Sequence, residues 1–233
     1  RSEPCSMGIA TLPAMEDLPA DPESALAAIE REVATHLARG KFVVTLGGEH
    51  SLTLGPVRAA RSLYPEIGVI QFDAHADLRD TYRGTPYSHA CIMRRIVELG
   101  VPTLAIGIRA LSREEAVLIA ERGLPTVWGH ELAGLTLERF RSLLSCLPGQ
   151  IYLTFDVDFF DPALVPATGT PGPGGGHWYP PLDLLRELFA AKRVAAMDLV
   201  ELAPHAAHPA SDFVTAQLAY KCAGFLAAGE RSR

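Results

Sequence analysis

An α/β fold with a mainly parallel, doubly wound sheet is the architecture this sequence predicts, and three observations point to it. Apolar strand-like runs alternate with amphipathic helical stretches, the pattern of a parallel sheet covered on both faces by helices. Each run is short and continuously apolar, as strands buried on both sides are. With 233 residues, 48% of them hydrophobic and 21% charged, the chain can bury one large core, so a single domain over residues 1–233 is expected.

The elements follow in order. Residues 1–22 carry Pro4, Gly8, Pro13, Pro19 and Pro22 and are expected to be irregular. An amphipathic helix from Pro22 to Arg39 leads into the first apolar run, Phe42 to Leu46. The helix Leu52 to Tyr64 precedes the strand Val69 to Phe72, and the helix His89 to Leu99 precedes the strand Thr103 to Ile108. Arg113 to Arg122 is a helix before the short strand Thr126 to Trp128. Leu137 to Leu147 is a helix before the strand Ile151 to Phe155, and Pro181 to Ala191 one before the strand Val194 to Leu199. Ser211, a good N-cap, opens a last helix that runs to about Ala228. One connection is out of proportion: Pro162 to Pro181, rich in Pro and Gly, is too long for a plain link and is a candidate active-site wall. Its stretch Gly172-Pro173-Gly174-Gly175-Gly176 has neither a Lys-Ser/Thr ending nor GxGxxG spacing, which argues against a phosphate cradle.

Composition narrows the function. Lys+Arg of 21 against Asp+Glu of 27 leaves a formal charge of -6 with no basic block, so no nucleic-acid partner is expected, while a cationic small substrate is permitted. Cys5, Cys91, Cys146 and Cys222 form no CxxC pair, which fits a reducing cytosol and offers no thiolate zinc site. There is no apolar run of membrane-spanning length and no signal-like opening, so a soluble, cytoplasmic protein without membrane contact is expected.

Residues with ligand chemistry gather where three apolar runs stop: His50 in Leu46-Gly47-Gly48-Glu49-His50, then Asp73-Ala74-His75-Ala76-Asp77, then Asp156-Val157-Asp158. Ligands of open α/β sheets bind outside the carboxyl ends of the strands. If the extended backbone persists there, residues two apart share a side, and one acid from each pair can bridge two cations. Helix capping for Asp77, a turn at Asp161-Pro162 and a plain surface face are the alternatives for single motifs. Three motifs at three strand ends favour metal. Four carboxylates in one crevice repel each other and take up protons unless cations compensate them. Oxygen donors with two imidazoles and no thiolate suit Mn²⁺, and two such ions about 3.5 to 4 Å apart can activate a shared water. Glu201, after the run Val194 to Val200, is either a strand-end acid or a partner for a cation. His89, at a helix start, is either a polar cap or a proton shuttle. His36, His130, His177, His205 and His208 lack a partner pattern and read as surface or loop residues.

Taken together, Gly47-Gly48-Glu49-His50-Ser51, Asp73-Ala74-His75-Ala76-Asp77, Phe155-Asp156-Val157-Asp158 with Asp161-Pro162, Gly169-Thr170-Pro171 and Asp198-Leu199-Val200-Glu201 closely resemble the ureohydrolase family of arginases and agmatinases, from about Lys41 to Phe225. The resemblance implies a three-layer α/β/α sandwich, two Mn²⁺ per chain and a homo-oligomer, trimeric or hexameric. It implies one metal on His50, Asp73, Asp77 and Asp156, the other on Asp73, His75, Asp156 and Asp158, with Asp73 and Asp156 as bridges. Glu201 is then expected to hold the guanidinium group. His89, or a relay through Asp158, is expected to supply the proton to the leaving amine. The stretch Asp77-Leu78-Arg79-Asp80-Thr81-Tyr82-Arg83-Gly84 with Tyr87-Ser88-His89-Ala90 is similar to agmatinases, which implies hydrolysis of agmatine to putrescine and urea, a step of polyamine biosynthesis. Guanidinobutyrate, guanidinopropionate or a formimino-amino acid are the substrate alternatives, and a non-catalytic metal-binding oligomer is the other. Thr154 stands where Ser is commoner, Gly176-His177-Trp178-Tyr179 departs from the usual loop, and the family's first strand is expected to lie outside this chain.

Overall fold

Continuous apolar runs have one stable setting, a strand with helices packed on both faces. The computed structural model describes residues 3–230 and joins six such runs into one sheet. They are β1 (Val43–Leu46), β2 (Ile67–Phe72), β3 (Thr103–Ile108), β4 (Thr126–Trp128), β5 (Gln150–Asp156) and β6 (Arg193–Val200). The strand order is β1-β6-β5-β2-β3-β4, and every pairing is parallel. The helices are α1 (Pro22–Leu37), α2 (Leu54–Leu63), α3 (Ile92–Glu98), α4 (Arg113–Arg122), α5 (Leu137–Ser145), α6 (Tyr179–Ala191) and α7 (Pro209–Glu230). Of the opening stretch, residues 1 and 2 lie outside the described residues. The remainder is irregular apart from a 3₁₀ turn at Pro4–Met7.

Side chains alternate across a strand, and the two faces of this sheet bury separate apolar layers. Ile29 and Val33 of α1, Val57 of α2, Ile96 of α3 and Ile119 of α4 pack with Val69, Tyr152 and Ala196. On the other face Phe140 of α5, Leu185 and Leu188 of α6 and Leu218 of α7 pack with Ile70, Phe72, Leu153, Phe155 and Met197. The result is the three-layer α/β/α sandwich. From β2 the chain winds outward through β3 to β4, whereas from β5 it winds the opposite way to β6. Right-handed crossovers then put α3 and α4 on one face and α6 on the other. The reversal falls between the neighbours β2 and β5, and such a switch point leaves a crevice at the carboxyl rim.

Two expectations are corrected locally. The last helix begins at Pro209, whose fixed φ suits the first helical position. Ser211 is therefore not its cap: fully buried, it accepts a hydrogen bond from Ala167 N at 3.3 Å. The helices expected from Leu52 and His89 are each preceded by a 3₁₀ turn, His50–Thr53 and His89–Cys91, so His50 and His89 sit in tight turns at the crevice.

Candidate metal centre

Four neighbouring strands, β1-β6-β5-β2, end at one rim, and each contributes a segment there. Beyond its last sheet residue the β1 segment stays tied to β6 through Gly47 N to Leu199 O at 2.9 Å, and Glu201 N donates to Gly48 O at 2.8 Å. His50 and Glu201 are thereby locked together, and His50 N donates to Glu201 Oε1 at 2.7 Å. The extended backbone expected to align the acids does not persist. Asp156 is the last residue of β5 and Asp158 lies in the 3₁₀ turn Val157–Phe159, while Asp77 has φ +53°. Buried aromatics anchor this turn: Phe159 and Phe160 lie 5.4 and 5.3 Å from the Phe155 ring, and Phe159 lies 5.2 Å from Phe72.

His50, fully buried, is the hub of a first group. Its Nδ1 lies 3.1 Å from Asp73 Oδ2, 3.1 Å from Asp77 Oδ2 and 3.3 Å from Asp156 Oδ2, yet it makes no hydrogen bond to any of them. Its other nitrogen, Nε2, is 2.8 Å from Thr154 Oγ1. An imidazole held from one side, with its second nitrogen among three carboxylate oxygens, is a ligand arrangement for a divalent cation. The second group is Asp73, His75 and Asp158. His75 Nδ1 lies 2.9 Å from Asp158 Oδ2 and 3.7 Å from Asp73 Oδ1, so Asp73 belongs to both groups. Asp156 joins the first through Oδ2, while its Oδ1 accepts from Asp158 N at 2.8 Å. The residues present fit a pair of cations: oxygen and imidazole donors, no thiolate, and a buried nitrogen without a proton partner.

Protonation follows the crowding. Burial and the neighbouring Asp73 carboxylate push Asp77 up to about 7, and the same two causes raise Asp156 well above the usual carboxylate range. Burial opposes ionisation of Asp73 as well, but the adjacent His50 and His75 imidazoles outweigh it and hold that carboxyl low. For His75 burial works downward, and Asp158 and Asp73 overcome it, pushing the imidazole up to about 11. The protein alone thus balances its acids with protons, which cations can displace.

Glu201 and His89 flank this cluster. Glu201 has φ +64°, and burial raises its pKa. With Oε1 occupied by His50 N, Oε2 faces Gly169, where an added Cβ would lie 3.9 Å away, so no side chain at position 169 covers it. His89 Nδ1 is 2.7 Å from Glu49 Oε2, and its ring meets Tyr82 edge-on at 5.5 Å. Ser51 Oγ donates to the other Glu49 oxygen. The Pro162 to Pro181 loop does line the crevice: Thr170 Oγ1 reaches Asp158 Oδ2 at 3.4 Å, and Thr168 bridges Leu202.

Beneath the ligand-type residues runs a polar row whose alignment escaped sequence reasoning, although Asp198 and Thr154 stand out singly in the sequence. Thr45, Asp198, Thr154 and Gln71 are register partners across four strands. Gln71 Nε2 donates to Asp73 Oδ2 at 2.8 Å. Asp198 Oδ2 accepts from Tyr152 OH at 2.6 Å and from Thr53 Oγ1 at 2.8 Å. The available signal was one polar residue near the end of each apolar run, two positions before the first acid in the case of Gln71 and Thr154.

An α/β sheet whose switch point holds acids and imidazoles in two candidate metal-binding groups defines a class, the metal-dependent hydrolases with a rim-bound site. Family comparison narrows that class: the model of the arginase family matches residues 4–224, and the chain belongs to that family as an arginase-family ureohydrolase. It is 42% identical over 238 residues to the N(1)-aminopropylagmatine ureohydrolase of Synechocystis sp., a match covering 100% of this chain and 78% of the relative. It is 38% identical over 184 residues to the agmatinase of Pyrococcus horikoshii, covering 79% of this chain and 62% of that one. The crystal structure of the agmatine ureohydrolase of Thermoplasma volcanium superposes with a TM-score of 0.83 at 29% identity, over 92% of this chain and 72% of the other.

Proposed function

We propose that this chain hydrolyses the guanidinium group of an agmatine-type substrate with a pair of manganese ions, releasing urea and an amine. What carries this reading is the juxtaposition of Glu201 with His50. The acid that is to bind a guanidinium is hydrogen-bonded at 2.7 Å to the backbone of a residue in the first ligand group. His50, Asp73, Asp77 and Asp156 would hold one ion, and Asp73, His75, Asp156 and Asp158 the other. When bound, the pair supplies Lewis acidity and lowers the pKa of water to near neutrality.

The side chains do the remainder. Glu201, ionised in the presence of a cation, pairs with the guanidinium and sets its carbon toward the carboxylate cluster. His89, braced by Glu49, delivers a proton to the departing amine nitrogen, which prevents it from attacking the carbon again. Asp158, accepting from Ala74 N at 3.0 Å and facing His75, is placed to accept a proton released at the crevice.

Agmatine, giving putrescine, is the leading substrate. Its N(1)-aminopropyl derivative is a second reading, favoured by the name of the Synechocystis relative. The charge of -6 suits either polycation. We further assign a cytoplasmic, homo-oligomeric protein, trimer or hexamer. Its support is the absence of cystine among four thiols together with exposed Phe213 and Tyr220 on α7. No helix among the described residues is long and apolar enough to cross a membrane. Metal analysis with a urea-release assay on agmatine, N(1)-aminopropylagmatine, arginine and guanidinobutyrate tests the function. Two manganese ions and turnover of a decarboxylated substrate are expected; turnover of arginine alone, or of none, defeats the proposal.

A further inference from the structure

We propose that Arg109 is a positioning residue that ties the Asp158 turn and the glycine loop into one body and so sets how Asp158 meets His75. The inference rests on the proposed role of His75, Asp158 and Asp73 as ligands of the second ion.

Arg109 follows directly on β3 and is half-buried. Its Nη2 donates to Asp158 O at 2.6 Å, Gly172 O at 2.9 Å and Phe160 O at 3.4 Å. Its Nε reaches Gly172 O at 3.3 Å, and its Nη1 reaches Gly107 O at 3.2 Å and Phe159 O at 3.4 Å. Every acceptor is a backbone carbonyl, and three of them, Asp158 O, Phe159 O and Phe160 O, leave the end of the short turn that carries Asp158, where the helical pairing of carbonyls stops; Phe159 O also accepts from Gly176 N at 2.9 Å. A planar guanidinium with five donors can serve carbonyls on several sides at once. The backbone of the same residue, through Arg109 N to Ala74 O at 2.8 Å, holds the segment that bears His75. One residue therefore touches all three pieces that must agree for the second ion.

The glycines left unexplained by sequence make room for this device. A Cβ on Gly129 would lie 3.0 Å from Arg109 Cβ, and one on Gly175 would lie 2.5 Å from Phe159 O. A Cβ on Gly176 would lie 2.4 Å from the Phe159 ring, whereas one on Gly172 or Gly174 would meet the Arg109 side chain only at ordinary contact distance, 3.9 and 4.0 Å. With Asp158 O fixed by Arg109 and Asp158 Oδ1 fixed by Ala74 N, the remaining oxygen has one direction to face, toward His75.

The test uses the full chain with Arg109→Lys and Arg109→Met. Manganese titration into the metal-free proteins is followed by calorimetry and by electron paramagnetic resonance, which distinguishes single ions from coupled pairs. Hydrogen exchange of residues 169–176 is read in parallel. The unsubstituted chain is expected to bind two ions. In both variants the first affinity should stay within about twofold, while the second falls at least about 10-fold and exchange in 169–176 quickens. Lysine keeps the charge, so a Lys variant that binds the second ion normally overturns the inference. Equal weakening of both ions, or a Lys variant that does not fold, assigns Arg109 to general stability and overturns it too. An unsubstituted chain that binds fewer than two ions removes the metal reading itself, and the inference with it.

Discussion

Nδ1 of His50 has three carboxylate oxygens within 3.3 Å and no hydrogen bond, and most of the site's chemistry at the residue scale follows from that imbalance. Glu201→Gln keeps the shape and removes the charge. Turnover should fall by at least about 100-fold, an order typical of a lost charge-stabilising group, while manganese content stays near two ions; a variant with full activity removes Glu201 from guanidinium binding. The protons held by the metal-free cluster give a second expectation with a definite sign. Asp77 titrates at about 7 and His75 at about 11, so below neutrality a cation must displace a proton from each. Above it Asp77 has lost its proton, whereas His75, and His50 with its pKa raised by the surrounding carboxylates, still hold theirs. Manganese affinity should therefore rise between about pH 6 and about pH 8, with proton release smaller at the higher pH. Calorimetry in buffers of different ionisation heat reads both; an affinity flat across that range contradicts the assignment.

Elements decide whether the residues meet. His50, the Asp73 segment and Asp156 were legible as candidate ligands because each lies at or a few residues beyond the end of an apolar run. What sequence reasoning missed was the shape of the backbone beyond the strands, a 3₁₀ turn at Asp158 and a left-handed residue at Asp77. Both are held by contacts from distant segments: Arg109 on the carbonyls of one, and for the other Glu115, whose Oε1 accepts from Leu78 N at 2.9 Å. A local pattern carries no record of such partners. The glycine loop illustrates the same limit, since its glycines serve close packing against Phe159, which the spacing alone does not express. Gly176→Ala should destabilise the fold by about 1 to 3 kcal/mol, the usual cost of overpacking, measured as a lowered midpoint in urea unfolding. An unchanged midpoint would show that the loop can move away from Phe159 freely.

For the whole molecule, the strand order brings four carboxyl ends together over the polar row Thr45, Asp198, Thr154 and Gln71, of which the last three are fully buried. Ions bound there join segments from β1, β2 and β5, so they should stabilise the folded chain as any ligand specific to it does. Manganese at about 100 times its Kd adds about 2.7 kcal/mol per site, which for a chain of this size raises Tm by roughly 5 to 10 °C. Scanning fluorimetry with and without a chelator measures this; a Tm indifferent to both places the binding outside the fold.

By itself the sequence determined the class of fold, the identity of six ligand-type residues and their location at strand ends, because burial and periodicity are written locally. Only the tertiary structure decided which strands are neighbours, and hence that Asp73 is shared, that Thr154 supports His50 and that Arg109 binds the Asp158 turn. Those are pairings between residues tens of positions apart, selected by the register of the sheet and the reversal of winding between β2 and β5, and no short window of the chain contains them.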